Sequence, residues 1–454
     1  MMWCIHMYFY FQQLIYQFGF WFTWLLIPIV FEIIPAIVYF FRLIKLSHQK
    51  GKPKQPLKLP MVSIILPVYN SANTLYTCIE SIVNSTYQKD LIQVIVVNNH
   101  STDNSFQEYQ RAQTDFNSIR MQWMNTDQGK AKALNAAIYS SMGQYVVNLD
   151  TDGILERQAL ENIVMYFENN PEIDAATGTI LTQKSLIKST ENWCLKILRD
   201  NEYFEYAQAF LAGRNIETQN NQLFTMSGAF STFRRNVLVE TFLYAVDTVG
   251  EDTEMTFQLR ERLGKKIGIC DNAIFYVEPI SGLSELYVQR QRWQRGELEV
   301  AKSFLQEKLS IRHFFQNFMI GRLMLDHTFM FPRLIWMVGL GVLLFYGYSP
   351  VVIGFSILFM YLLYVAYSYM NFLNVNMLLK PFYKEKIYFD HHFWVCFTMP
   401  IYNMICSLIR FIGIINTITK KSSWRTLTIK DELQAIKNVI TMDLIKVKKK
   451  DTHG

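Results

Sequence analysis

Charge is scarce in this chain: Asp, Glu, Lys and Arg make up 18% of it, against 50% hydrophobic residues. That balance excludes a disordered protein, and 12 prolines and 20 glycines in 454 residues exclude a collagen-like or low-complexity one. The cysteines, at positions 4, 78, 194, 270, 396 and 406, form no Cys-x-x-Cys pair and no His-bearing zinc spacing. Isolated thiols in a reduced compartment or in lipid are what remain. No Walker A run and no Gly-x-Gly-x-x-Gly occurs, so nucleotide-hydrolase and dinucleotide readings lose their main support. The net charge is +6, but Lys and Arg flank apolar runs instead of forming a stripe, which argues for anionic lipid and against nucleic acid.

What is abundant is apolar surface: 34 Phe, 25 Tyr and 20 Met exceed the needs of a soluble core, and they gather at the two ends of the chain. Residues 18–41 carry no formal charge except Glu32. As a helix they reach across a hydrocarbon layer about 30 Å thick. No Lys or Arg precedes them, whereas Lys45, Lys50, Lys52 and Lys54 follow, so the N-terminus is expected outside and the next domain in the cytoplasm. A basic n-region and a small-residue cleavage site are both missing, against a signal peptide. Pro28 and Pro35 are expected to kink this span. Further apolar stretches lie at 324–346, 351–372 and 393–418, with Lys380, Lys384 and Lys386 marking a cytoplasmic loop. If the last stretch crosses, the C-terminus lies outside, against the preference of Lys420, Lys421, Arg425 and the run at 446–450. Pro400 offers the alternative of a re-entrant or tilted element, and both readings stand.

Between the apolar ends, β-rich runs at 61–68, 91–97, 119–123 and 144–150 alternate with helical patterns at 73–82, from 103 onward and at 130–139. Repeated strand, turn and helix units imply a parallel sheet, whose ligands sit beyond the C-terminal ends of its strands. Asp150 and Asp152 stand at such an end. Two carboxylates one residue apart can share a hard divalent cation that neutralises a diphosphate, although Asp also serves in turns. Gly129 and Lys130 open a helix whose NH groups can face an anion; the plainer reading is a turn with solvated lysines. Asn98, Asn99 and His100 can hydrogen-bond a base or cap a loop. Glu251 and Asp252 begin another helical pattern, where a carboxylate is either a cap worth about 1 kcal/mol or a general base for an attacking hydroxyl. In QRQRWQRGE at 289–297, Arg290, Arg292 and Arg295 can pair with pyrophosphate and Trp293 can wall a sugar, or the run is a basic helix on lipid.

Taken in order, these residues resemble the family 2 glycosyltransferases, inverting enzymes with a GT-A fold that include membrane synthases of cellulose, hyaluronan and poly-N-acetylglucosamine. The likeness runs over 59–295. Pro67, Val68, Tyr69 and Asn70 look like the opening motif, GKAKALN at 129–135 resembles the diphosphate-side motif, and Asp150-Thr151-Asp152 is similar to the metal-binding pair. The resemblance implies an acceptor side at Ser227, Gly228, Ala229 and Phe230, a catalytic base at Asp252 with Glu251 beside it, and the processive Gln-x-x-Arg-Trp signature at Gln289, Arg292 and Trp293. It further implies donor binding by Pro67, Tyr69, Asn70, Asn98, Lys130, Asp150 and Arg292, acceptor binding by Ser227, Gly228 and Trp293, and Mg2+ or Mn2+ on Asp150 and Asp152. Asn98 and Asn99 stand where the family usually has two acids, which bears on donor identity more than on fold. NNHSTDNSF and NTDQGKAKALNAAI are also similar to a subgroup encoded with an exosortase-like peptidase, which implies surface-glycan assembly with membrane partners.

The expected architecture is therefore α/β, a GT-A nucleotide-diphospho-sugar transferase fold with flanking transmembrane helices. Residues 1–56 form an anchor and basic linker, 57–300 the catalytic domain, 301–323 interfacial helices, 324–419 the C-terminal transmembrane region and 420–454 a basic tail. The expected activity is transfer from a nucleotide-sugar, a UDP-sugar, to a growing polysaccharide or lipid-linked glycan, in a multi-pass protein of the cell membrane with its catalytic domain in the cytoplasm. Two alternatives stay open: single addition to a polyprenyl-linked acceptor, and a membrane-tethered nucleotide-sugar-binding regulator without turnover, which rests on Asn98 and Asn99.

Overall fold

The computed structural model describes residues 29–49, 54, 56, 58–219, 221–305, 330–347 and 349–419. Eight strands among them form one mixed sheet: β1 (Val62–Val68), β2 (Ile92–Asn98), β3 (Arg120–Asn125), β4 (Tyr145–Leu149), β5 (Gly153–Leu155), β6 (Ala175–Thr182), β7 (Phe230–Arg234) and β8 (Ile267–Val277), in the order β3-β2-β1-β4-β7-β6-β8-β5. β1, β2 and β4 read as near-continuous Val and Ile runs because helices cover the sheet on both faces, and most of their residues are buried. Helices Leu75–Val83, Ser105–Asp115 and Lys130–Ser140 make the crossovers that keep β3, β2, β1 and β4 parallel. One edge of the sheet thus collects the strand ends at Val68, Asn98 and Leu149. β7 then runs antiparallel between β4 and β6 and carries 227–230 to the same edge.

Two apolar clusters fill the faces of the sheet, one around Tyr145, Phe167 and Phe275 and one around Leu134, Phe233 and Leu259. A third joins this domain to the apolar helices: Leu43, Tyr203, Leu211 and Phe372 are buried together. In it, the ring of Phe389 stacks on Phe204 at 4.2 Å and on Phe372 at 4.9 Å. The helices are therefore packed on the α/β domain through a shared core.

After the sheet come helices Leu283–Leu305, Met330–Phe345, Pro350–Leu378, Tyr383–His391 and Val395–Thr419. Two are long and apolar enough to cross a membrane, Pro350–Leu378 with mean hydropathy 2.0 and Val395–Asn416 with 1.6, and they match the stretches expected at 351–372 and 393–418. Pro400 does not divide the last helix, which is continuous around it. The stretch expected at 324–346 is described only as Met330–Phe345, and residues 306–329, 1–28 and 420–454 lie outside the described residues. Of the first expected span, Ile29–Ile33 is a π-helical turn leading into helix Ile34–Gln49. Pro35, with no NH to offer the preceding turn, accounts for the widened geometry.

Candidate active site

The turns after β1 and β2 lock to each other. Asn70 takes a left-handed φ of 51°, which Asn tolerates, and its Oδ1 accepts from Thr102 N at 2.9 Å while its own N donates to Ser101 Oγ at 3.0 Å. Asp103 completes the lock, accepting from Ala72 N at 2.9 Å and Ser105 Oγ at 2.5 Å. Burial works against the Asp103 charge, but these hydrogen bonds hold its carboxyl below the usual range. Asn98 Oδ1 accepts from Ser101 N at 2.9 Å, and its Nδ2 donates to Asn125 Oδ1 at 3.0 Å. Tyr69 is exposed beside them.

Asn99 is buried, and its Oδ1 accepts from Gly129 N. Gly129 has φ 138°, which strongly favours glycine, so this bond fixes the corner from which helix Lys130–Ser140 starts. In sequence Asn99 reads as a base contact or a loop cap. Its partner is 30 residues away, and no local pattern reveals it.

Lys130, first residue of that helix, does not point at open solvent. Its Nζ donates to Asp150 Oδ1 at 2.5 Å and to Gly228 O at 3.5 Å. Burial opposes its charge, yet Asp150, Glu251 and Asp252 outweigh that and raise its pKa. The plain reading of a solvated lysine is thereby corrected. Asp150 stands one residue beyond β4, and Thr151 Oγ1 donates to Ser71 Oγ at 2.8 Å, fixing the turn between the acids. Protein packed around the Asp152 carboxyl, together with the charge on Asp150, raises its pKa to about 6.

From the opposite side, Gly228 N donates to Asp252 Oδ2 at 3.1 Å. A Cβ on Gly228 would stand 3.2 Å from that oxygen, close enough that the carboxylate would have to shift, and in ordinary contact, 3.5 Å, with Lys130 Nζ, so the missing side chain lets Asp252 approach. Ser227 Oγ accepts from Ala229 N at 3.3 Å and shapes the same turn. Asp252 is not the N-cap of helix Glu251–Phe257, since Gly250 holds that place and Asp252 lies within the first turn. Burial raises the pKa of Glu251; Lys130 opposes the shift and Asp252 adds to it.

Helix Leu283–Leu305 closes the site and separates the three arginines. Arg290 is buried, pairs with Glu205 Oε2 at 2.5 Å and lies 4.2 Å over the Trp293 ring. Arg295 pairs with Glu299 at 2.9 Å. The charges of Arg290 and Arg295 are thus taken up inside the protein. Arg292 alone of the three is exposed, and its charge reaches Glu251. Gln289 Nε2 donates to Tyr206 OH at 3.3 Å, and Trp293 is half-buried against Tyr206 and Phe210, at 6.1 and 5.9 Å between ring centres.

Residues 63–242 match the family model described as Glycosyl transferase family 2. The chain is 26% identical over 70% of its length to poly-beta-1,6-N-acetyl-D-glucosamine synthase of Staphylococcus aureus (strain MSSA476), covering 72% of that protein. It is 25% identical over 60% of its length to the protein of the same name from Staphylococcus epidermidis, covering 63% of it. The mannosyltransferase PcManGT from Pyrobaculum calidifontis, solved in complex with GDP-Man and Mn2+, shares the fold with a TM-score of 0.56 at 16% identity, over 85% of this chain and 95% of that one. The matched span, 63–242, holds β1 to β7 with Lys130, Asp150 and Asp152; over it the chain is similar to glycosyltransferase family 2, and the mixed sheet with its edge of acids has the GT-A fold.

Proposed function

We propose that the protein is a membrane-bound inverting glycosyltransferase that moves a sugar from a nucleotide-sugar, a UDP-sugar, to a growing polysaccharide or lipid-linked glycan of the cell surface. The observation that carries this is the convergence of Asp150, Glu251 and Asp252 on Lys130, which joins the donor side of the sheet edge to the acceptor side within one cluster. The synthase names of the staphylococcal relatives support a polysaccharide product.

Asp150 and Asp152 fit a hard divalent cation, Mg2+ or Mn2+. Burial of the Asp152 carboxyl, with the charge on Asp150 adding to it, holds its pKa up, a penalty on the second negative charge that a cation relieves. Among the described residues no group of three or more His, Cys, Asp or Glu is placed to hold a metal, so the pair leaves coordination positions for donor phosphates. When bound, the ion supplies charge neutralisation for a departing diphosphate. Lys130 adds positive charge at Asp150, and Arg292 presents a guanidinium near Glu251. Asp252, held by Gly228 N and Thr253 N, takes the acceptor proton as the new glycosidic bond forms. Trp293 walls the acceptor sugar, and with Gln289 and Arg292 it favours repeated over single addition.

Membrane attachment rests on Pro350–Leu378 and on helix Ile34–Gln49 packed against it. Lys45 to Lys54 favour a cytoplasmic catalytic domain in a multi-pass chain. Asn98 and Asn99, the support for a regulator without turnover, have folding roles here, so their lack of charge is no sign of a decayed site.

The experiment is a titration of donor binding and turnover with Mg2+ and Mn2+ in wild type, Asp150→Asn and Asp152→Asn, with mass analysis of product from a panel of nucleotide-sugars. Loss of metal-dependent turnover in both variants is expected; unchanged metal dependence in both overturns the assignment.

A further inference from the structure

Helix Val395–Thr419 has the length and hydropathy of a membrane span, yet it is bonded to the catalytic domain along its whole length. It begins where the preceding Tyr383–His391 helix is clamped: Glu385 accepts from Lys184 and from the hydroxyls of Tyr203 and Tyr276, both at 2.7 Å. Thr398 then donates to Asn201 Oδ1 at 3.0 Å and Tyr402 to Glu205 Oε2 at 2.6 Å. Toward the other end Arg410 Nε donates to Gln294 Oε1 at 2.8 Å, and Asn416 Nδ2 to Gln291 Oε1 at 3.2 Å. Gln291 and Gln294 flank Arg292 and Trp293 at the site.

Thr398 and Asn416 are separated by about 27 Å of helix, nearly the full depth of a hydrocarbon layer of about 30 Å. A helix that crossed would carry Asn416 to the far side of the bilayer from the domain, and the Asn416–Gln291 bond forbids it. The face turned away from the domain is apolar: Phe397, Ile401, Leu408, Ile412 and Ile415 are exposed and fall on one helical stripe.

We infer that Val395–Thr419 does not span the membrane but lies in its plane, domain on one side and the lipid of the domain-side leaflet on the other. Three observations name lipid as the occupant. The stripe adjoins the apolar helix Pro350–Leu378, on which Val395–Thr419 packs. The connector between these helices is bonded to the domain, which brings the end of Pro350–Leu378 to that side. The chain then continues into Lys420, Lys421, Arg425 and the Lys run at 446–450, complementary to anionic headgroups. The helix therefore ends, at Thr419, on the same side as the catalytic domain. The basic segments at 45–54 and 380–386 then share that side, and the end of the helix offers the same side to the basic sequence after it, which removes the conflict left by the charge pattern.

This inference rests on the membrane-bound reading, but its test does not depend on which way the domain faces. In a background carrying Cys4→Ser and Cys194→Ser, full-length Gln55→Cys and Thr452→Cys are treated with a membrane-impermeant maleimide in intact and permeabilised cells. Both are expected to react only after permeabilisation. Both reacting in intact cells reverses the cytoplasmic orientation and still supports the in-plane helix; reaction from opposite sides overturns it. A second arm places an environment-sensitive fluorophore at Phe397→Cys or Ile415→Cys in lipid nanodiscs with nitroxide lipids. Equal, shallow depth is expected. Depths that differ by most of the bilayer, or quenching by aqueous iodide alone, overturn the proposal.

Discussion

Gly250 and Gly296 meet backbone to backbone: a Cβ on Gly250 would lie 2.8 Å from Gly296 Cα, and one on Gly296 would lie 2.9 Å from Gly250 Cα. Neither glycine has a positive φ, so space and not backbone conformation demands the missing side chain. The contact sets helix Leu283–Leu305, with Arg292 and Trp293, directly against the start of the helix that carries Glu251 and Asp252. Glu299 reinforces it, accepting from Thr248 Oγ1 at 3.2 Å while paired with Arg295.

Gly296→Ala is therefore expected to act at a distance from any ligand. Backbone cannot rotate away from the new methyl, so the two helices must part, at a cost of about 1–3 kcal/mol of stability. Turnover should fall tenfold or more while donor affinity stays within a few-fold. Gly282→Ala, whose Cβ meets nothing within 4 Å, is the control. Parallel kinetics and donor binding decide it, and wild-type turnover in Gly296→Ala would show that this contact does not register the site.

Lys130→Met probes the opposite side. With the ammonium on Asp150 Oδ1, a cation must share that carboxylate with a charge already in place. Removing it is expected to tighten Mn2+ binding to donor-free protein and to weaken binding of the nucleotide-sugar, which loses a positive partner. Calorimetric titration with Mn2+ alone, then with donor, separates the two effects. Unchanged Mn2+ affinity would mean that Lys130 and the ion do not compete.

The legible part of the fold was the part whose signals are local. Asp150 is readable because an uncharged strand, 145–149, ends one residue before it, and Gly129 because a helix opens immediately after it. The second half of the sheet is different. β8 carries Asp271 and Asn272 near its middle, and its pairing with β6 shifts register between Gly178 and Thr179, so alternation is broken where a strand would be sought. The three arginines of 289–297 look alike in sequence; Arg290 is set apart by distant partners, Glu205, 85 residues upstream, and Tyr402, 112 residues downstream. Val395–Thr419 reads as a span by composition, and only partners 116 and 125 residues away, Gln294 and Gln291, mark its end as bound to the domain.

Glu202 makes a prediction about pH. It is fully buried beneath the 289–293 stretch, accepts from Ile280 N at 3.0 Å, and its other oxygen has no hydrogen-bond partner. Burial raises its pKa to about 8, with the Ile280 hydrogen bond and Arg290 opposing. The folded protein thus holds a proton that the unfolded chain releases above about pH 4.3, so this group's contribution to stability falls as pH rises from there toward 8. Glu202→Gln keeps an acceptor for Ile280 and removes the titration. Its melting temperature should match wild type near pH 5 and exceed it near pH 8. Equal pH slopes in thermal melts of the two proteins would show that Glu202 does not titrate in that window.

The two oxygens of Asp252 make the mechanism testable at a single atom. Oδ2 accepts from Gly228 N at 3.1 Å and Oδ1 from Thr253 N at 2.7 Å, so the carboxylate fastens the acceptor-side turn as well as standing in the cluster around Lys130. Asp252→Asn keeps the shape and one acceptor oxygen. A purely structural role therefore predicts a loss of about 1 kcal/mol in stability and turnover within a few-fold of wild type. An amide has no useful proton affinity at neutral pH, so a base role predicts kcat lower by about 10² to 10⁴ with donor affinity nearly unchanged. Trp293→Ala should separate from it, impairing acceptor placement or chain extension while nucleoside diphosphate still binds, because its ring packs on Tyr206 and Phe210 and not on the acids. Donor binding and product formation are measured separately for both variants in one lipid preparation. If Asp252→Asn transfers sugar at the wild-type rate, the proton goes elsewhere, and Glu251, with its pKa raised by burial in the same cluster, is the group to change next.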